Sequence, residues 1–140
     1  MAALMNTLLG NVTAYVQAGL TLYSPIYKTV WQTGTGINSN EQLIARIDPA
    51  PVTETAYFDE SKTGIVPIAF YAKSKNQVTA TSALDSIIDL LDVNTTLQIS
   101  GALNILCKGV TIPVFVSQDD AKNYIFTCTV QVEYFAARGE

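Results

Sequence analysis

Three carboxylates, Asp85, Asp89 and Asp92, fall along one flank of a stretch with helical periodicity. Such a flank can hold a divalent ion or exchange protons with a substrate. A solvated face beside a buried stripe is the better explanation, because no histidine, lysine or second acidic motif converges on it. The chain has no histidine, which removes the commonest general base. Cys107 and Cys128 are not spaced as a zinc pair. Both sit in apolar strand patterns and read as small buried residues, with no disulfide framework implied. No glycine-rich phosphate loop and no nucleophile elbow is present. No catalytic residue, metal ligand or cofactor is therefore assigned, and the chain is not expected to be an enzyme.

Composition points to another kind of work. Charged residues make up 14% of the chain, against about 25% in ordinary domains. Hydrophobic residues make up 49%. A surface this short of charge suits contact with another subunit better than a solitary life in water. The net charge is −4, and only Lys73 and Lys75 lie close together among the basic residues. Specific nucleic-acid binding needs a basic footprint, so it is not expected. No basic residue precedes Lys28, so the start lacks the pattern of a secretory signal. No apolar run is long enough to span a membrane. An intracellular protein of one domain is expected from the 140 residues.

The elements are organised around Gly64–Val93. Ile65–Lys73 reads as a strand with Val66, Ile68, Phe70 and Ala72 on one side, and Pro67 suggests an edge or a bend. Leu84, Ile87, Ile88 and Leu91 then make one apolar helical stripe over about Thr79–Leu91. Ser82 and Asp85 have the spacing of a capping box. A first helix is expected over residues 2–18, with Leu4, Leu8, Val12, Tyr15 and Val16 as a loose stripe, Gly10 weakening its middle and Gly19 ending it. Residues 20–40 are loop-rich, and Trp31 reads as a packing anchor. Gln42–Asp48 alternates as a short strand. A short strand is expected at Thr96–Ile99 and a long one at Ile105–Val116, bent near Gly109 and Pro113. After a turn at Ser117–Asn123, Tyr124–Phe135 has Tyr124, Phe126, Cys128, Val130, Val132 and Tyr134 on one face. The expected fold is α+β in two layers: an antiparallel or mixed four-stranded sheet with two helices on one face. Its α/β core spans 42–135.

Residues 52–63 connect two strands. Two aromatic residues beside three acids are unusual for a solvated loop. A plain polar connection fits, and so does a hairpin arm that docks on a neighbour. The arm would place Glu54, Tyr57, Phe58, Asp59, Glu60 and Lys62 at an interface.

The segment Thr55–Asp92, TAYFDESKTGIVPIAFYAKSKNQVTATSALDSIIDLLD, resembles the centre of the tail-terminator (minor capsid) proteins of long-tailed bacteriophages. The matching residues are Ile68, Phe70, Ala72, Lys73, Ser74 and Lys75, then Leu84, Ile88 and Leu91, then Tyr124, Phe126 and Tyr134. The likeness covers about residues 42–135, and Leu20–Asn40 departs from the pattern. It implies a structural virion protein that forms a ring, usually a hexamer, at the end of the tail tube. Such a ring stops tube growth and joins the tail to the head. The implied partners are further copies of the chain, the tail tube protein and the head–tail connector protein. DNA would only pass through the lumen, and no membrane is involved. The implied location is the virion, at the head–tail interface, after assembly in the host cytoplasm. Another head–tail joining or tail-tube subunit has a similar pattern. From a different class, a small ligand-binding domain or enzyme would use the acidic helix flank.

Overall fold

The structure is a computed structural model that describes residues 2–28, 31, 40–47, 53–56, 62–91, 96–99, 103–119 and 121–136. Two helices, α1 (Ala2–Gly19) and α2 (Gln77–Leu90), cover one sheet. Its eight strands are β1 (Ile26–Lys28), β2 (Gln42–Ile47), β3 (Thr53–Ala56), β4 (Lys62–Ser74), β5 (Thr96–Ile99), β6 (Leu103–Val110), β7 (Val114–Gln118) and β8 (Tyr124–Ala136). The α+β class and the placing of both helices on one face agree with the periodicities. The expected four strands are corrected to eight. Short segments such as 26–28 and 53–56 carry too few residues for alternation to separate them from loops.

The middle of the sheet is two 13-residue strands, β4 and β8. They pair antiparallel along their whole length, with Ile68 opposite Val130 at the centre. β2 and β3 share the other edge of β4, and β6 and β7 share the other edge of β8. Each pair is in effect one long strand broken once. Pro67 of β4 lies opposite the first break, since Ile68 pairs with Ile47 and Ile65 with Thr53. A proline is tolerated there because it does not have to bond across an unbroken ladder on both sides. Pro113 lies in the second break, where Thr111 N donates to Thr129 O at 2.9 Å and Thr129 N donates to Thr111 Oγ1 at 2.8 Å. The bend suggested by Gly109 and Pro113 is therefore real, and it divides the expected long strand into β6 and β7.

β1 flanks β2, in parallel, and β5 flanks β6, antiparallel. The order is a helix and four strands, then a helix and four strands again. The second set repeats the topology of the first around the central Ile68 and Val130 pair, the direction of β1 excepted.

The core lies between this sheet and the helices. Val66, Ile68, Phe70 and Ala72 meet Phe126, Cys128, Val130, Val132 and Tyr134 there, as the period-two patterns require. From α2 come Ala80, Ala83, Leu84 and Ile87, with Leu91 just beyond it. Ile88 is only partly buried, at the flank of the stripe. From α1 come Leu9, Val12 and Val16, while Tyr15 is 39% exposed. The first helix is thus turned slightly from the expected stripe. α2 begins at Gln77, two residues early, because Asn76 caps it: its Oδ1 accepts from Val78 N at 2.9 Å. Ser82 and Asp85 lie inside the helix and form no capping box. No helix among the described residues is long and apolar enough to cross a membrane.

Gly10 interrupts α1 without a packing reason. A Cβ there would meet only the flexible end of Lys28, with Nζ at 3.3 Å. Gly10→Ala is expected to raise stability by about 0.5–1 kcal/mol, read as a higher denaturant midpoint. At Gly19 a Cβ would lie 3.0 Å from Leu90 Cδ2, so the same change there is expected to gain less. Equal gains at the two sites would mean that α1 does not pack against α2 at this point.

Candidate assembly interface

The acidic flank is not brought into any site. Asp85 and Asp89 are exposed on α2, and Asp92 lies outside the described residues. No group of three or more acidic or cysteine side chains gathers to hold a metal among the described residues. Cys128 is buried in the core. Burial, and secondly the charge of Asp85, push its thiol up to about 12, so it is an inert packing group.

Within the connector at 52–63, residues 53–56 form β3 and 62–63 begin β4. β3 pairs antiparallel with the start of β4, which puts Glu54 opposite Gly64 and Lys62 opposite Ala56. Its backbone is therefore a hairpin. Tyr57, Phe58, Asp59 and Glu60 lie outside the described residues.

The most distinctive surface was missed by the period-two count. All five residues of β7 are exposed. Ile112 is 77% exposed, Val114 54%, Phe115 53% and Val116 46%. Four of the six large exposed apolar residues among the described residues thus fall within five positions. They do not alternate in and out: Val114 and Phe115 point to opposite faces of the strand and both are exposed, and a bulge follows between Phe115 and Ser117. Phe115 still touches the core edge-on, with its ring 5.6 Å from that of Phe126. β7 pairs only with β8 among the described residues, so its outer backbone edge is open. A charge-free run, Gly109–Gln118, was the sequence signal. Edge strands that stay monomeric normally carry a lysine or another inward charge.

A polar network fixes the turn that carries β7. Asn123 is 1% exposed. Its backbone N donates to Asp119 Oδ1 at 2.8 Å, and its Nδ2 donates to Asp119 Oδ2 at 3.0 Å and Asn40 Oδ1 at 2.8 Å. Lys122 N donates to Asp119 O, and Lys122 itself takes a left-handed φ of 65° to close the turn. Lys73, almost buried, reaches Asp119 Oδ2 at 4.0 Å and lies 4.5 Å from the centre of the Trp31 ring. Trp31 is therefore a packing residue, as expected. Burial tends to raise the Asp119 carboxyl, but the Asn123 hydrogen bonds and the Lys73 charge outweigh it and hold it below the usual carboxylate range. Tyr23 OH lies 3.1 Å from Gln42 O and 3.0 Å from Lys73 O, tying the segment after α1 to β2 and β4. Burial, with the nearby Glu41 charge, pushes its hydroxyl well above the ordinary value.

The face of β8 away from the helices is polar. Thr127, Thr129, Gln131 and Glu133 lie there. Arg46 also lies there, with Nη2 donating to Tyr71 OH at 2.8 Å and its guanidinium 4.7 Å from the ring centre. Arg46, a described cation on this face, is thus held by an aromatic partner.

No family model matches the chain. No curated protein sequence matches it either. Among solved structures, a chain of the "Virion of native gene transfer agent (GTA) particle" is similar, with a TM-score of 0.59 and 13% identity. The likeness covers 91% of this chain and 96% of that chain. It is a likeness of fold, extending over nearly the whole of both chains.

Proposed function

We propose that this chain is a structural virion protein, a ring-forming tail terminator that caps a phage tail tube and joins it to the head connector. The observation that carries this is the open, charge-free β7 edge on a domain whose fold matches a chain of a phage-like virion along nearly its full length. An apolar strand edge is a poor end for a monomer and a good joint between subunits. On this reading the role is structural and not catalytic: Asp85 and Asp89 are exposed on α2 and Cys128 is a core residue. Its acidic balance, with cations held by Trp31 and Tyr71, would let DNA pass without gripping it.

Tail assembly with and without the chain tests this. Without it, tubes are expected to grow to uncontrolled length. With it, length is restored and one end is capped. Tubes of native length in its absence would contradict the terminator role. Growth of the purified chain into long tubes of its own would point to a tail-tube subunit.

A further inference from the structure

We infer that β7 of one copy pairs antiparallel with β3 of the next copy, so that the sheets join head to tail. This rests on the ring-forming function proposed above and specifies its joint. Three observations lead to it. First, β1, β3, β5 and β7 each have one partner and one open edge among the described residues. β5 lies on the same edge as β7, so β1 and β3 are the strands of the opposite edge. The first donor of β1, Ile26 N, is already taken by Gln17 Oε1 at 3.1 Å. Second, β3 and β7 lie on opposite edges and at opposite ends of the sheet. β3 pairs with residues 62–65 of β4, and β7 with residues 124–127 of β8. Third, their directions are opposed. β3 runs against β4, β7 runs against β8, and β4 runs against β8.

Two copies set side by side in the same orientation therefore offer each other an antiparallel pair. The occupant of the β7 edge is a second copy, because this chain itself carries the complementary edge. The contact uses two different surfaces, so it repeats around a ring instead of stopping at a dimer. The offset between the two ends means that each copy steps along its neighbour. The strands then tilt relative to the ring axis, as staggered strands do in a closed barrel. Val114, Phe115 and Val116, exposed in the single copy, become covered at the joint.

The test is the mass of assemblies formed by the wild-type chain and by the double variant Val114→Lys, Val116→Lys, alone and with tail tubes. Val78→Lys, an equally apolar and 69% exposed site on α2, is the control. The double variant is expected to melt like wild type and lose every species above the monomer. The control is expected to assemble fully. A folded double variant that assembles like wild type overturns the joint and leaves the proposed function standing. A wild-type chain that stays monomeric even with tubes overturns both. Should the double variant not fold, Thr55→Cys with Val116→Cys keeps the joint testable. Oxidation is expected to give a ladder of covalent multimers up to the ring. Dimers alone, or no cross-link within an intact ring, would overturn it.

Discussion

Phe70→Ala is expected to lower the unfolding free energy by about 3–5 kcal/mol. Phe70 is 1% exposed at the middle of β4 and faces the helices. Its cross-strand neighbours on that face are Ala45 on one side and Cys128 on the other. Both are small, so the ring fills space that neither can reach. Once it is removed, nothing large stands beside it to collapse into the gap, and the cost should fall towards the upper end of the range. Denaturant unfolding measures it. A loss below about 1 kcal/mol would mean that the helix layer closes over the site, and that the packing described between helices and sheet is looser than the burial implies.

Asp119→Ala should cost about 2–3 kcal/mol, although Asp119 is partly exposed. The carboxylate accepts two hydrogen bonds from Asn123, which is too buried for water to replace them. The loss also leaves Lys73 with the Trp31 ring as its remaining partner among the described residues. Asp119→Asn should cost less, because its amide oxygen can still accept from Asn123 N. The sign with pH follows from the lowered carboxyl. Its contribution is complete above the ordinary aspartate value, about 4, and is lost as pH falls through the lowered value. The gap between wild type and Asp119→Ala should therefore be full at neutral pH and close in strong acid. A gap that does not change with pH would show that the ionised carboxylate is not what holds the turn.

The sequence and the structure agree best where periodicity is long. Tyr124–Phe135 and the strand around Val66–Ala72 place their inward residues correctly because one face of each is buried along its length. The α2 stripe was legible for the same reason, with Leu84 and Ile87 in the core and Ile88 displaced to the flank. The strand count was not legible. β5 was expected at Thr96–Ile99, but β1 and β3, with three and four residues, are too short for alternation to set them apart from loops. The start of α2 was misread because Asn76 is one residue among several polar ones, and only its geometry marks it as the cap. At the candidate interface, residues 112–116 were read only as the end of a long strand. A hydrophobic strand residue has the same sequence signature whether it is covered by its own helix or by another chain. The missing charge in Gly109–Gln118 was the readable part, and it carries meaning only once the strand is known to lie at an edge. The low overall charge pointed to a covered surface without saying where it was.

The most direct measurement is the mass of the purified chain by light scattering, alone and mixed with tail tubes, with negative-stain images of the mixture. A closed ring in solution, or monomers that gather as a ring on one end of each tube, is the predicted result. A chain that remains monomeric and leaves both tube ends bare would contradict it.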